Sequence, residues 1–274
     1  MPVMTMKRKI FGAAVGIFVA ALFLLPCAKA AEPPSVSAKS AILYDCTASR
    51  VLYEKDADRQ SLIASTTKIM TGLLVCERCQ MDDAVQIPDQ AVGVEGSSLY
   101  LKQGETLCVE DLLYGLMLQS GNDAAVALAI HCGGSVEEFV VLMNQKAAEL
   151  QLTNTHFANP NGLDDEQNYS TAHDLAVLSQ YALVNPIFAQ TVATKTATLG
   201  GNRSVANHNK LLWRYDGCIG VKTGFTRAAG RILVSAAERD GRRLVAVTIG
   251  APDDWNDHTK LLDYGFSLTL NGPE

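Results

Sequence analysis

Strand signals at both ends of the chain, with a long helical stretch between them, limit its possible folds more than any other feature. Near the start, Ala41–Asp45 and Arg50–Tyr53 are short apolar or β-branched runs separated by Cys46-Thr47-Ala48-Ser49, a hairpin pattern. Near the end, Ile232–Ala236 and Leu244–Ile249 flank Glu238-Arg239-Asp240-Gly241, the clearest hairpin in the chain. Between them, Ala64–Cys76 carries Ile69, Met70, Leu73 and Leu74 at helical spacing. Glu110–Met117 and Asp123–His131 read as two helices broken at Ser120-Gly121-Asn122, and Val136–Leu150 as a further amphipathic helix. Thr171-Ala172-His173-Asp174 resembles a capping box opening a helix through Leu183, and Asp254–Phe266 closes the chain with another. If the terminal strands pair, one antiparallel sheet carries helices on its faces and a helical lobe inserted between its halves. That is an α+β fold with a cleft between sheet and lobe, where sites are usually built.

The 274 residues, 48% hydrophobic, suffice for one large core. Charge is unevenly placed. Lys7, Arg8, Lys9 and Lys29 precede any acidic residue. Without those four of the 23 basic residues, 29 acidic face 19 basic, a poor balance for nucleic-acid binding. Lys7-Arg8-Lys9, the apolar run Ile10–Leu25, the breaker Pro26 and the small-x-small box Ala28-Lys29-Ala30 read as a secretory signal over residues 1–30. The run is short against the roughly 20 residues of a membrane span; an uncleaved anchor is the alternative. Cleavage near Ala30 puts the protein outside the cytoplasm, secreted or associated with membrane or wall. Residues 31–40, rich in Pro, Ser and Ala, are expected to be a linker. Six cysteines remain beyond Cys27: Cys46, Cys76, Cys79, Cys108, Cys132 and Cys218. Cys76-Glu77-Arg78-Cys79 lacks a second pair at zinc spacing and an adjoining βαβ pattern, so buried thiols with one disulfide are expected over a redox or metal role.

Three strings carry the chemistry: Ser65-Thr66-Thr67-Lys68, Ser120-Gly121-Asn122 and Lys222-Thr223-Gly224. Each alone is more often a cap, loop or ordinary strand. Their order and local contexts together point to a serine acyl-transferase. Residues three apart on a helix share a face, so the Lys68 amine can reach the Ser65 hydroxyl. Lysine acts as a base only when neutral, which burial and a second cation such as Lys222 both favour. A free backbone N–H at the helix start can face an oxyanion. Ser120 can pass a proton to a leaving amine, and Asn122 can hold a substrate carbonyl. Lys222 and Thr223 on an edge strand can bind a carboxylate, with Gly224 permitting close backbone approach.

On these motifs the chain resembles the D-alanyl-D-alanine carboxypeptidases, the low-molecular-weight penicillin-binding proteins of the S11 serine peptidase family. The resemblance runs from about Ala41 to Phe266. It extends to Asn159-Pro160-Asn161-Gly162-Leu163, Tyr169–Leu175 and Asn207-His208-Asn209-Lys210-Leu211-Leu212. It implies a β-lactamase/transpeptidase-like fold over residues 41–270, with no C-terminal β-domain expected. It implies Ser65 as nucleophile, Lys68 as base and Ser120 as proton relay. It also implies Asn122, Lys222 and Thr223 as substrate contacts, and backbone N–H groups of Ser65 and Phe225, beside Gly224, as the oxyanion hole. The implied substrate is a peptidoglycan stem peptide ending in D-Ala-D-Ala, with β-lactams as covalent inhibitors, no cofactor or metal, and no obligate protein partner.

Two departures stand out. The membrane-anchoring helix that many relatives carry is not expected here. Some relatives also place a carboxylate-binding arginine after the last core strand, but Asp253-Asp254-Trp255-Asn256-Asp257 has none, leaving Arg227, Arg231 or Arg214 as substitutes. A class A β-lactamase would need an E-x-x-L-N loop, and Glu166-Gln167-Asn168-Tyr169-Ser170 lacks the Leu-Asn. A non-catalytic cell-wall-binding protein is the other alternative, against which the intact motifs argue.

Overall fold

The computed structural model describes residues 1–2 and 32–268. The segment expected to be a secretory signal, residues 1–30 including Cys27, therefore lies outside the described residues apart from Met1 and Pro2. The chain opens with β1 (Ser40–Asp45), β2 (Arg50–Lys55) and the short β3 (Ser61–Leu62). A 3₁₀ turn, Ala64–Thr67, leads into α1 (Lys68–Arg78). The lobe follows with β4 (Ala84–Gln86), β5 (Thr106–Cys108), α2 (Val109–Leu118), α3 (Asn122–Gly133) and α4 (Val136–Glu149). Next come β6 (Tyr169–Ser170), α5 (Ala172–Ala182), α6 (Pro186–Ala193), and a small hairpin of β7 (Thr196–Leu199) and β8 (Arg203–Ala206). The one-turn helix α7 (Leu211–Arg214) precedes β9 (Cys218–Thr226), β10 (Gly230–Arg239), β11 (Arg242–Ile249) and α8 (Asp254–Ser267).

The terminal strands do pair. The main sheet runs β2-β1-β11-β10-β9, every neighbour antiparallel, with Ile42 opposite Val247. Two turns fix its register. Asp240 and Gly241 both take positive φ (51° and 75°), as a two-residue hairpin turn requires. At the other hairpin, Asp45 Oδ1 accepts from the Thr47 and Ala48 N–H groups at 3.0 Å. The strand period of two then divides the core. Val234, Val245 and Val247 face the lobe, while Leu233, Leu244 and Ala246 face Leu261 and Leu262 of α8.

The lobe is built around α3, whose central Ala124–Ala129 stretch is apolar and buried on all sides. Three expectations change. The linker ends early: Val36 and Ala38 are buried, and Asp257 accepts from the Ser37 N–H and hydroxyl, because an inward carboxylate needs donors. The Ala64–Cys76 helix is two pieces, the first being 3₁₀. The Thr171 hydroxyl caps α5 by accepting from Asp174 N–H at 3.0 Å. The Asp174 carboxylate, however, accepts from Asn154 N–H and the Thr155 hydroxyl instead of closing a reciprocal box.

Candidate active site

The 3₁₀ turn brings Ser65 and Lys68 together, since residues i and i+3 eclipse in that geometry. Lys68 lies fully buried at the start of α1, and its Nζ is 3.0 Å from Ser65 Oγ. Two carbonyls also surround the amine: Asn122 Oδ1 at 2.7 Å and the Asn161 backbone oxygen. A neutral amine has two N–H donors and one lone pair. The two carbonyls take the donors, which leaves the lone pair for the Ser65 O–H. Burial, aided by the charge of Lys222, holds Lys68 well below its ordinary value, with Asp123 opposing more weakly.

Asn122 is the first residue of α3, and its placement depends on the loop before the helix. Its N–H donates to Ser97 O at 2.7 Å and its amide to Glu95 O at 2.6 Å. The neighbouring Asp123 carboxylate accepts from the N–H groups of Leu99 and Leu101 and from the Ser98 hydroxyl, so the turn-rich Gly93–Gly104 segment is tied to the helix start. Ser120 sits just before α3 with φ 63°, a left-handed backbone. The Lys222 ammonium, buried on the edge strand β9, donates to Ser120 Oγ and to Thr223 O, each at 3.0 Å. Burial brings Lys222 down to about 7.

Two glycines permit this convergence. A Cβ on Gly224 would stand 3.2 Å from the Ser65 and Thr66 nitrogens, so its absence lets β9 approach the nucleophile turn. Gly162, at φ +84°, leaves no such room: a Cβ there would fall 1.9 Å from Ala64 O. That contact holds the Asn159–Gly162 turn, and the Asn161 carbonyl with it, beneath Ser65.

Ser65 stands where two depressions meet. One, of about 310 Å³, is lined by Ser120, Thr223, His208, Lys210, Arg231 and Asp254 among others. The other, of about 790 Å³, is lined by Glu95, Asn122, Asn161, Asp164, Phe225 and Arg227 among others. The eight residues expected at the site, Ser65, Lys68, Ser120, Asn122, Lys222, Thr223, Gly224 and Phe225, thus lie together, gathered around Ser65. Of the three candidate arginines, Arg231 lines the smaller depression, Arg227 the larger, and Arg214 neither. Arg231 is opposite Phe225 on β10, and its Nη1 is 3.9 Å from Asp254 Oδ2. Burial pushes the Asp254 carboxyl upward. His208 is held below its ordinary value by burial and then by Lys222, so it faces the cleft as a neutral imidazole. Glu166 is exposed and lines neither depression.

The Asn161 carbonyl, which accepts from Lys68, is a group that residue types alone leave as part of a turn. Its signal was the Asn159-Pro160-Asn161-Gly162 cluster, but nothing in that string says which carbonyl points at a lysine 93 residues away.

Comparison with known proteins agrees with this geometry. The profile of the D-alanyl-D-alanine carboxypeptidase family, peptidase S11, matches residues 27–253. D-alanyl-D-alanine carboxypeptidase DacF of Bacillus subtilis (strain 168) is 37% identical, with 96% of this chain and 72% of that protein aligned. DacB2 of Mycobacterium tuberculosis (strain ATCC 25618 / H37Rv) is also 37% identical, over 86% of this chain and 84% of its own length. The crystal structure of the Streptomyces K15 DD-transpeptidase superposes with a TM-score of 0.82 at 35% identity, covering 87% of this chain and all of that one. The fold and site define a penicillin-recognising serine acyl-transferase. Within that class, the chain belongs to the S11 family of D-alanyl-D-alanine carboxypeptidases.

Proposed function

We propose that this protein is a serine D-Ala-D-Ala carboxypeptidase acting outside the cytoplasm on peptidoglycan stem peptides, and that β-lactams acylate the same serine. The observation that carries the reading is the saturated amine of Lys68: both N–H donors are taken by carbonyls, and its lone pair is left for the Ser65 hydroxyl. Ser65 Oγ attacks the carbonyl of the penultimate D-alanine as Lys68 takes its proton. The developing oxyanion is held by the N–H groups of Ser65, early in its 3₁₀ turn, and of Phe225. Lys222 donates a hydrogen bond to Ser120, whose hydroxyl relays to the departing amine the proton that Lys68 took, so that Ser120 is left protonated and Lys68 is neutral again when water attacks. D-alanine leaves through the smaller depression, and water then attacks the ester to release the shortened peptide.

The substrate's terminal carboxylate enters beside Lys222 and Thr223. A negative charge there favours the protonated form of Lys222, which burial alone would leave only about half protonated at neutral pH. Arg231 takes the place of the expected arginine, because it is the one of the three candidates on that side of Ser65. The exposed Glu166 gives no support to a β-lactamase-type deacylating base. Release from the cytoplasm follows the signal segment expected over residues 1–30.

Labelling with a fluorescent penicillin tests the acyl-enzyme. Wild type is expected to form a covalent adduct that Ser65→Ala abolishes; equal labelling of the two would sink the mechanism. Transfer to an amine competes with transfer to water, as the transpeptidase name of the Streptomyces relative implies. A mass-spectrometric time course on a pentapeptide ending in D-Ala-D-Ala separates them: loss of one alanine supports hydrolysis, while a cross-linked dimer does not.

A further inference from the structure

The proposed reaction uses none of the cysteines, yet two of them meet. Cys79 Sγ lies 2.8 Å from Cys132 Sγ, against the ~2.05 Å of a covalent S–S bond, although the residues are 53 apart in sequence. Both side chains are partly exposed. A cavity of about 600 Å³ opens on the Cys79 side, lined also by Cys76 and Cys108, and one of about 300 Å³ opens on Cys132. Among the described residues, no other two sulfurs are in such contact.

We propose that Cys79 and Cys132 form a disulfide that staples the far ends of α1 and α3. The two helices carry catalytic groups at their near ends. Lys68 begins α1 and Asn122 begins α3, and Asn122 Oδ1 accepts from Lys68. Cys79 follows the last residue of the 11-residue α1, about 16 Å from Lys68 at ~1.5 Å per residue. Cys132 lies within the last turn of the 12-residue α3. The helices are therefore joined at one end by the Lys68–Asn122 hydrogen bond and at the other by the sulfurs. A bond between them fixes the helix pair as a rigid frame without touching the cleft.

The chemistry is a thiol–disulfide exchange with an external disulfide such as oxidised glutathione. Cys79 donates a hydrogen bond to Cys132, and Arg78 lies nearby; both draw the Cys132 thiol below its ordinary value. Cys132 thiolate attacks the oxidant, forming a mixed disulfide and expelling one glutathione thiolate. Cys79 then loses its proton to solvent and attacks the Cys132 sulfur, expelling the second glutathione. Two protein thiols are oxidised and one external disulfide is reduced. Cys76, one turn before Cys79, is the poorer partner because it makes no contact with Cys132 like the 2.8 Å approach of Cys79; both thiols are raised, so position decides between them.

Protein incubated with oxidised glutathione, alkylated under denaturing non-reducing conditions and mapped by mass spectrometry is expected to yield a Cys79–Cys132 cross-linked peptide. Reductant should then lower Tm by roughly 5–15 °C. Cys79→Ser and Cys132→Ser should each abolish that sensitivity, the double variant doing no more than either, while Cys76→Ser keeps it. Full alkylation of both residues, or a Cys76–Cys79 bridge in their place, overturns the proposal. The wild-type map decides the matter even if a variant fails to fold.

Discussion

Replacing Asn122 by aspartate changes the base by one charge with almost no change of shape. In the wild type, Asn122 Oδ1 is 2.7 Å from Lys68 Nζ, and both residues are buried. A carboxylate at that oxygen would attract a protonated Lys68 by about 332/(20 × 2.7), or roughly 6 kcal/mol at an effective dielectric of ~20. Desolvation of the new charge and its repulsion by the Glu95 carbonyl offset much of this. If only about 2 kcal/mol survives, Lys68 rises by ~1.5 pH units, and its neutral fraction falls by up to roughly 30-fold at pH values below its midpoint. The assay is the second-order rate of acylation by a fluorescent penicillin from pH 6 to 11. Asn122→Asp should acylate more slowly near neutral pH, by up to ~30-fold through protonation, and regain much of the loss at high pH, because raising pH removes the proton that the new carboxylate holds. Asn122→Ala removes the same acceptor without adding charge, so its deficit should be flatter across pH. Wild-type acylation by Asn122→Asp at pH 7, or a deficit that does not shrink as pH rises, would show that Lys68 is not the base.

Three further outcomes follow from the same structure. Gly162→Ala places a methyl 1.9 Å from Ala64 O on a backbone at φ +84°, so it should lower stability by roughly 3 kcal/mol or more and slow penicillin labelling, read by thermal melting and gel fluorescence. Arg231→Ala should raise KM about five- to tenfold for a peptide with a free terminal carboxylate, a figure kept modest because the side chain is 56% exposed, and should leave the C-terminal amide of that peptide unaffected. His258 is buried between the Ser235 and Thr248 hydroxyls, and its folded pKa is lowered to about 3. Between about pH 6.5 and 3 the unfolded chain therefore binds the proton that the folded one refuses. Stability falls with acid across that window, by an upper limit of roughly 5 kcal/mol, and a denaturation series with His258→Asn should lose most of that slope.

The legible parts of the fold are those where one local rule acts without competition. The Asp240-Gly241 turn, the alternation of Leu244 to Val247 and the eclipsed Ser65–Lys68 pair all follow from periods and turn chemistry that a few neighbouring residues specify. The β7–β8 hairpin and α6 escaped notice. Thr196–Ala206 has only weak alternation around Gly200 and Gly201, and Pro186–Ala193 is too short to show a period. The same limit applies at the site. The three motifs name side chains, but the Asn161 carbonyl is a backbone atom, invisible to residue type. The choice of Arg231 over Arg227 depends on which depression each lines, and both lie within a few residues of the same turn.

The surroundings of the Lys68 amine also bear on how a reversible inhibitor should be shaped. Two of its valences are closed by protein carbonyls, so a ligand offering another acceptor there finds no hydrogen to receive. What the Lys68 lone pair lacks, once the Ser65 hydroxyl is turned aside, is a donor. A head group that carries its own O–H, set over Ser65 with an anionic tail toward Arg231, would satisfy the one open valence and the nearby guanidinium together. Compounds built only from carbonyls and ethers would leave that lone pair buried and unmet, and should bind more weakly than their area suggests.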